Sequence, residues 1–424
     1  MNLEDYGIKR TKNYAEILEE DAISQIREVM SLDCNVQAAL MPDAHSGYVL
    51  PIGGVVKSKE MIFPAYIGYD IGCGVSALKL NISKDSVSKA ELEKIKEVIV
   101  DKIGLGTQRE VSSSEIKKSK EIVQPLLEKL YFKDLNNKDV IAQLGTLGGG
   151  NHFIEIGYGE DNSIWIVIHS GSRNFGHSIA KNYMKVAAVV NTEEERYEKE
   201  FEEKNNHWKD KNPEGFEKAK KEFVYRRVRA RLKTNIEGNF GIPLYSKEGQ
   251  EYLNDMNLGL EFALENRKKM IYKIMGFFKE VLGRTDIKDE FFVNKNHNHG
   301  EVVEENGVSY VIHRKGATQA DEGMYGVIPG NMRDGSFIVR GKGNKDSLNS
   351  SSHGAGRVLS RRMAKEILTL KELEEDMEGI VCNISEATID ESPEAYKNIF
   401  EVMEAQKDLV EIVDYIKPLI NIKG

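Results

Sequence analysis

Three cysteines in 424 residues, Cys34, Cys73 and Cys382, are too few for a disulfide framework and make a reducing cytoplasm the default compartment. Long apolar runs are missing as well: nothing approaches the roughly 20 uninterrupted apolar residues of a membrane helix. The opening Met1-Asn2-Leu3-Glu4-Asp5 has neither the basic nor the apolar region of a secretion signal. Positive charge is in deficit. At −9 the chain has no bulk attraction for phosphate, so contact with nucleic acid would need a local basic patch. There is no internal repeat and no low-complexity tail. What remains is a globular composition, 40% hydrophobic and 30% charged, long enough to bury a large core.

The patterning is mixed. A helix is expected from about Asn13 to Met30, followed by apolar strands at Val36 to Leu40 and Val49 to Val56. Ser88-Lys89-Ala90-Glu91 is a capping box, and a second helix is expected from about Ser114 to Leu130. A Gly-dense centre, Leu144 to His177, contains a strand at Ile164 to Ile168. From Thr192 to Lys233 the composition shifts to Glu, Lys and Arg, which reads as long solvated helices outside the core. Residues 192–235 are therefore taken as an insertion within one domain spanning 1–424. A long amphipathic helix, about Lys247 to Leu282, comes next. Asn306-Gly307, between Glu301–Glu304 and Val308–His313, suits the type I′ turn of a hairpin. The run Leu409 to Ile422 is apolar and strand-like, so the chain end is expected to be anchored rather than frayed. The fold class is α+β.

Eight of the nine histidines, His45, His152, His169, His177, His297, His299, His313 and His353, sit in short stretches rich in Gly, Asn, Ser or Asp; His207 lies in the charged insertion. Glycines beside them let backbone approach a ligand closely. In Gly68-Tyr69-Asp70-Ile71-Gly72-Cys73-Gly74, a carboxylate and a thiol three residues apart converge if Gly72 and Gly74 bend the chain. With His152, His169 and His297 they form a thiolate, carboxylate and imidazole set that suits Zn²⁺, Fe²⁺ or Mn²⁺ rather than Mg²⁺. A satisfied polar core is the bland reading of each histidine alone, and five converging residues argue against it. His177 and His299 fit either reading, and Cys34 and Cys382 read as structural.

Ser350-Ser351-Ser352-His353-Gly354-Ala355-Gly356-Arg357 precedes a helical pattern through Leu368. That pattern puts His353 near a helix N-terminus, where unpaired N–H groups favour phosphate, and sets Arg357 and Arg361 one turn apart on one face. A Ser-capped helix with glycine in its first turn is the alternative to a histidine facing a nucleotide phosphate, and spacing alone leaves both open.

These stretches resemble one known family. Met41-Pro42-Asp43-Ala44-His45-Ser46-Gly47, Gly68 to Gly74, Gly148-Gly149-Gly150-Asn151-His152-Phe153 and His169-Ser170-Gly171-Ser172-Arg173 resemble RtcB, the GTP-dependent RNA-splicing ligases. So do His313-Arg314-Lys315-Gly316-Ala317, Ile328-Pro329-Gly330 and His353 to Arg357, in the family's order from about residue 40 to Lys423-Gly424. The resemblance implies one large α+β domain with mixed sheets around a central metal and nucleotide cleft. It implies His353 as the nucleophile that takes GMP from GTP, oriented by Asp43. Two Mn²⁺ ions would be held by Asp70, Cys73, His152, His169 and His297, with Cys73 bridging. Nucleotide contacts would come from Asn151, His152, Glu155, His297, Asn298, Pro329, Gly330, Asn331, Met332, Ser336, His353, Gly354, Ala355, Gly356 and Lys423, with Glu155 facing the guanine N–H edge. Arg173, Arg357 and Arg361 are the candidates for RNA phosphates. The partners implied are RNA with a 2′,3′-cyclic phosphate or 3′-phosphate and RNA with a 5′-hydroxyl, together with an archease-type activator. A cytoplasmic monomer without membrane contact is expected. Departures at Asn331-Met332-Arg333, His297-Asn298-His299-Gly300 and Ile67 remove no proposed ligand and suggest a divergent branch devoted to repair.

Three other readings compete. A relative that caps 3′-phosphate ends without sealing would share every residue named. A dinuclear metallo-phosphoesterase would use Asp70, Cys73 and the histidines but leave His353 and Lys423 idle. A non-catalytic RNA-binding protein would use Arg226, Arg227, Arg229, Arg231 and Lys233, a run that also reads as a solvated face balancing the acidic helix before it.

Overall fold

Period-two alternation in the central strands decides the architecture. Leu78, Leu80, Ile154, Ile156, Ile164, Ile166, Ile168, Ile420 and Ile422 share one face and pack on Met270, Ile271, Ile274 and Phe278 of the helix Lys247–Leu282. The intervening residues, Val75, Ala77, Phe153, Trp165, Val167 and Ile416, form a second core on the opposite face. The computed structural model describes residues 3–105, 113–192, 194–234 and 236–424. Among these, an eight-stranded sheet runs in the order Asp289–Asn296, Gly74–Ser83, Ser163–Ser170, Phe153–Tyr158, Val410–Lys423, Ser336–Gly341 and Tyr325–Pro329, with Val381–Cys382 pairing parallel to Val410–Lys423. A five-stranded sheet orders Thr11–Asn13, Asn35–His45, Ile52–Lys59, Val308–Lys315 and Asn298–Glu305. One large α+β domain results, and no described helix is long and apolar enough to cross a membrane.

Several expected elements form as expected. Ser88 caps the helix Lys89–Lys102 with Glu91 reciprocating, and Asn306 and Gly307 take φ values of 53° and 75° at the hairpin turn. Others differ. The first helix is only Glu20–Met30, because Asn13 folds its amide back on Ala15, accepting from its N–H at 3.0 Å and donating to its carbonyl at 2.8 Å. Thr11–Asn13 instead pairs parallel with the strand Asn35–His45, which extends past Leu40 through Asp43.

The charged helices Glu194–Asn205 and Pro213–Thr234 have a small core of their own, with Phe201, Phe216 and Val224 buried and Trp208 edge-on to Phe216. Outward, ion pairs such as Arg227–Glu200 and Arg226–Glu222 dominate. Glu193, Asn235 and the side chains of Arg231 and Lys233 lie outside the described residues. At the chain end, Val410–Lys423 is one continuous strand in the interior of the large sheet, so the tail is anchored.

Candidate metal and nucleotide site

Strand register assembles the candidate ligands. Asn296, Gly74 and Ser170 lie side by side, as do His169 and Phe153, and Phe153 and Lys423. Cys73, His152 and His297, each adjoining one of these strands, are thereby delivered with His169 to one end of the sheet. The Asp70–Cys73 segment is a tight turn, with Cys73 N–H on the Asp70 carbonyl at 3.0 Å. Gly72 permits it by taking φ +73°, a region most side chains avoid.

Five donor atoms converge. Cys73 Sγ lies 3.2 Å from His169 Nε2 and 3.5 Å from His152 Nε2. His152 Nε2 lies 3.1 Å from Asp70 Oδ2, and His169 Nε2 lies 3.3 Å from His297 Nε2. The imidazoles of His169 and His297 are held neutral by burial, well below their ordinary range. Two neutral rings facing each other through Nε2 share at most one proton, so one lone pair points into the cluster. Burial opposes ionisation of Asp70, yet His152 and Cys73 hold its carboxyl below the usual range. Burial and the Asp70 charge push the Cys73 thiol well up, a preference that a divalent cation would reverse. Lone pairs from nitrogen, sulfur and oxygen crowded into a few ångströms fit a transition-metal ion, and Cys73, His152 and His169 make a metal-ligand cluster.

Beside the cluster stands a buried dyad. The fully buried Asp43 takes His353 Nδ1 at 2.6 Å on Oδ2, which also accepts the N–H groups of His353 at 3.1 Å and Gly354 at 3.2 Å. The His353 ring is 4.8 Å from the His297 ring, centroid to centroid. Gly356, at φ +75°, lets its loop close on Asp43: a Cβ there would meet the Asp43 carbonyl at 2.4 Å. Lys397 clamps the same strand from behind, donating to the carbonyls of Pro42 at 3.1 Å and Ala44 at 2.9 Å.

This arrangement corrects the expected helix at His353. Ser350–Ser352 is a strand, and the helix begins only at Arg361, capped by Ser360. The backbone donors after Ser352 are satisfied by the Asp43 carboxylate instead of by a helix start. Arg357 and Arg361 consequently do not share a helix face.

The family described as tRNA-splicing ligase RtcB matches residues 25–424. The RNA-splicing ligase RtcB of Escherichia coli K12 is 32% identical over 407 residues, covering 91% of this chain and 90% of that protein. The tRNA-splicing ligases RtcB of Nanoarchaeum equitans and Archaeoglobus fulgidus are 27% and 26% identical, over 91% and 93% of this chain and 87% and 89% of theirs. The chain belongs to the RtcB family. It is an RNA ligase by that membership.

The remaining RtcB positions divide by what they touch. Glu155, Asn421 and Lys423 share the site face of adjoining strands. Burial raises the Glu155 carboxyl to about 8 against the pull of the nearby Ser336 hydroxyl and of Lys423. Glu155 Oε1, Ser336 Oγ and Asn421 Oδ1 are buried without a partner among the described residues. Gly354 and the Pro329 carbonyl adjoin, since a Cβ on Gly354 would lie 3.2 Å from that oxygen. Met332 is fully buried against Leu373 and Met377, and the Asn331 amide closes its own turn onto Arg333 and Asp334. Asn151 is exposed. The Asn298 amide braces the metal turn, donating to the Asp70 carbonyl at 3.0 Å and accepting Gly316 N–H at 2.8 Å. Arg173, at φ 57°, lies within electrostatic reach of Asp70 and Cys73. Arg357 is bound to Glu391 and to the Asp390 carbonyl and is largely covered, whereas Arg361 pairs with Glu391 and Asp390 but stays 43% exposed. His177 stacks on Tyr69, while His299 contacts Arg314 and His313 accepts Phe63 N–H.

Two residues escaped the motif reading. Arg267, fully buried on Lys247–Leu282, donates to the carbonyls of Gly72 at 2.9 Å and Ser170 at 2.7 Å and to Asn296 Oδ1 at 2.6 Å. One guanidinium thus ties together the neighbours of Cys73, His169 and His297. Asn266 beside it bonds to Gly145, Thr146, Ser170 and Gly171, fastening the Gly-dense centre. The signal was a polar pair interrupting an apolar stripe, since Phe262, Ala263, Met270 and Ile271 flank them on the buried face.

Proposed function

We propose that this chain joins RNA 2′,3′-cyclic-phosphate or 3′-phosphate ends to 5′-hydroxyl ends, with GTP as the energy source and His353 as the guanylylated residue. The observation that carries the reading is the Asp43–His353 dyad beside the metal cluster. Asp43 accepts a hydrogen bond from Nδ1–H, which leaves the Nε2 lone pair as the nucleophile and offsets the charge the ring gains on attack. Nε2 forms a bond to the α-phosphorus of GTP as the bond to the pyrophosphate leaving group breaks. The RNA 3′-phosphate then takes the guanylyl group from His353. Attack by the 5′-hydroxyl oxygen on the activated 3′-phosphorus expels GMP and seals the strand. Where the end is a 2′,3′-cyclic phosphate, water opens it first.

Asp70, Cys73, His152, His169 and His297 would hold two Mn²⁺ ions with Cys73 bridging, and such ions neutralise triphosphate charge and the charge on attacking and leaving oxygens. Unpartnered oxygens on Glu155 and Ser336 support a guanine pocket there, because guanine's N–H edge needs acceptors and its hydrogen bonds would favour the ionised form of Glu155. The neighbouring Lys423 ammonium would meet the nucleotide. A phosphoesterase reading leaves the dyad without work. Repair or tRNA splicing is the setting, with an archease-type activator as a candidate partner.

Incubation with α-labelled GTP and Mn²⁺, followed by RNA bearing a 2′,3′-cyclic phosphate and RNA bearing a 5′-hydroxyl, is the test. Acid-labile label on His353 and a sealed product are expected. Labelling without sealing would favour the capping reading, and no labelling would defeat both.

A further inference from the structure

Lys423 occupies the penultimate position of the chain, yet its side chain is only 6% exposed. Burying an ammonium in a strand end requires a partner. That partner is Glu391, in the turn Glu386–Glu391, which was in none of the motifs. Its Oε2 accepts Lys423 Nζ at 2.8 Å and the Tyr396 hydroxyl at 2.6 Å. Its Oε1 accepts Arg361 at 2.5 Å and Arg357 at 3.4 Å. Asp390 beside it takes Arg361 at 2.5 Å and Lys365 at 3.3 Å. Two buried carboxylates therefore organise four cations. Two of those four matter for the site: Arg357 directly follows the His353–Gly356 loop, and Lys423 lies over the Phe153 ring at 5.1 Å, next to His152.

We propose that Glu391 is a positioning residue: its carboxylate holds the terminal Lys423 ammonium on the nucleotide face and ties it to Arg357 at the foot of the His353 loop. The proposal rests on the functional reading above for the role of Lys423, but the holding itself does not. It also gives Arg357 and Arg361 a place in this internal anchor. Glu391 touches neither nucleotide nor metal and acts through Lys423.

The test uses the full-length protein carrying Glu391→Gln, Lys423→Met, or both, with Glu391→Asp as the charge-retaining control. The first readout needs no activity: the rate at which an amine-reactive reagent labels Lys423, followed by mass spectrometry. In Glu391→Gln that rate should rise by about tenfold or more, since the neutral amide no longer pairs the ammonium. Glu391→Asp should recover most of the protection. The second readout is the GTP dependence of His353 guanylylation. Glu391→Gln should raise half-saturating GTP by about tenfold while the maximal single-turnover rate changes by less than about threefold. The double variant should be no worse than Lys423→Met alone. Unchanged labelling of Lys423 in Glu391→Gln overturns the proposal, as does a double variant whose losses multiply. Should Glu391→Gln not fold, wild-type protection of Lys423 in Glu391→Asp supports it and full exposure in that variant overturns it. A wild-type protein that takes up no GMP defeats the functional reading and leaves the Lys423 labelling result to decide the anchor.

Discussion

The two flanks of the site handle buried polar atoms in opposite ways. Around the metal cluster and nucleotide face, Asp43 Oδ1, His152 Nδ1, Glu155 Oε1 and Ser336 Oγ are buried with no partner among the described residues. Around Glu391 every carboxylate oxygen is taken, by Lys423, Tyr396, Arg361 and Arg357. Unpaired buried atoms cost roughly 1–3 kcal/mol each and persist where a ligand satisfies them. Paired ones hold structure. On the proposed function, the difference separates groups that would act on substrate from groups that hold those groups still.

The largest expected effect is at the dyad. His353→Ala should abolish covalent guanylylation while leaving the fold intact, because the ring occupies a loop and its loss removes no apolar core. Acid-labile GMP on the variant would refute the nucleophile and blur the two flanks. Cys73→Ser comes next. A hydroxyl is not ionised at neutral pH and does not bridge cations as a thiolate does, so metal affinity should fall by more than about 100-fold. Metal analysis after dialysis checks it; two Mn²⁺ retained per chain would refute bridging.

The two carboxylates should also leave opposite marks on stability. Lys423 and Arg361 outweigh burial at Glu391 and hold its carboxyl at about 2, below the ordinary 4.5. Its contribution, about 3 kcal/mol, is present above pH 4.5 and lost as pH falls from 4.5 through 2. Glu155 is raised instead, to about 8, so its neutral form favours folding below pH 4.5 and that contribution is lost as pH rises through 8. Chemical denaturation across pH should therefore show the acid limb flattened in Glu391→Gln and the limb between pH 4.5 and 8 flattened in Glu155→Gln. The same limb flattened in both variants would mean the carboxylates share one environment.

The smallest effect belongs to the charged arm. Removing Arg226 and Arg229 together should change stability by less than about 1 kcal/mol, as exposed pairs do, and ligation by less than twofold. A large, salt-dependent fall in ligation would make the arm an RNA contact and extend the substrate-facing region to it.

Much of the candidate site is legible because its chemistry is local: glycines sit near the proposed ligands, and the motifs carry both. Cys73 and Asp70 could be paired from spacing alone, and the hairpin at Asn306-Gly307 from its dipeptide. The helix expected at His353 does not form because its backbone donors are satisfied by Asp43, a group 310 positions away in the sequence. Glu391 and Arg267 carried no motif for a similar reason. Their value comes from partners gathered across the fold, such as Gly72, Ser170 and Asn296 around one guanidinium, and no window of sequence holds that set. The arm looked purely solvated because Phe201, Phe216 and Trp208 are sparse among charges, although they suffice for a small core.

The interior position of Val410–Lys423 has a consequence for assembly of the sheet. That strand separates Phe153–Tyr158 from Ser336–Gly341 and supplies the hydrogen-bonded pairing between the two halves of the large sheet. Such long-range pairing forms late and slowly. Loss of this strand's pairing would therefore remove the joint and the Lys423–Glu391 pair together. Joining the sheet and placing the Lys423 ammonium beside Phe153 are thus one and the same pairing.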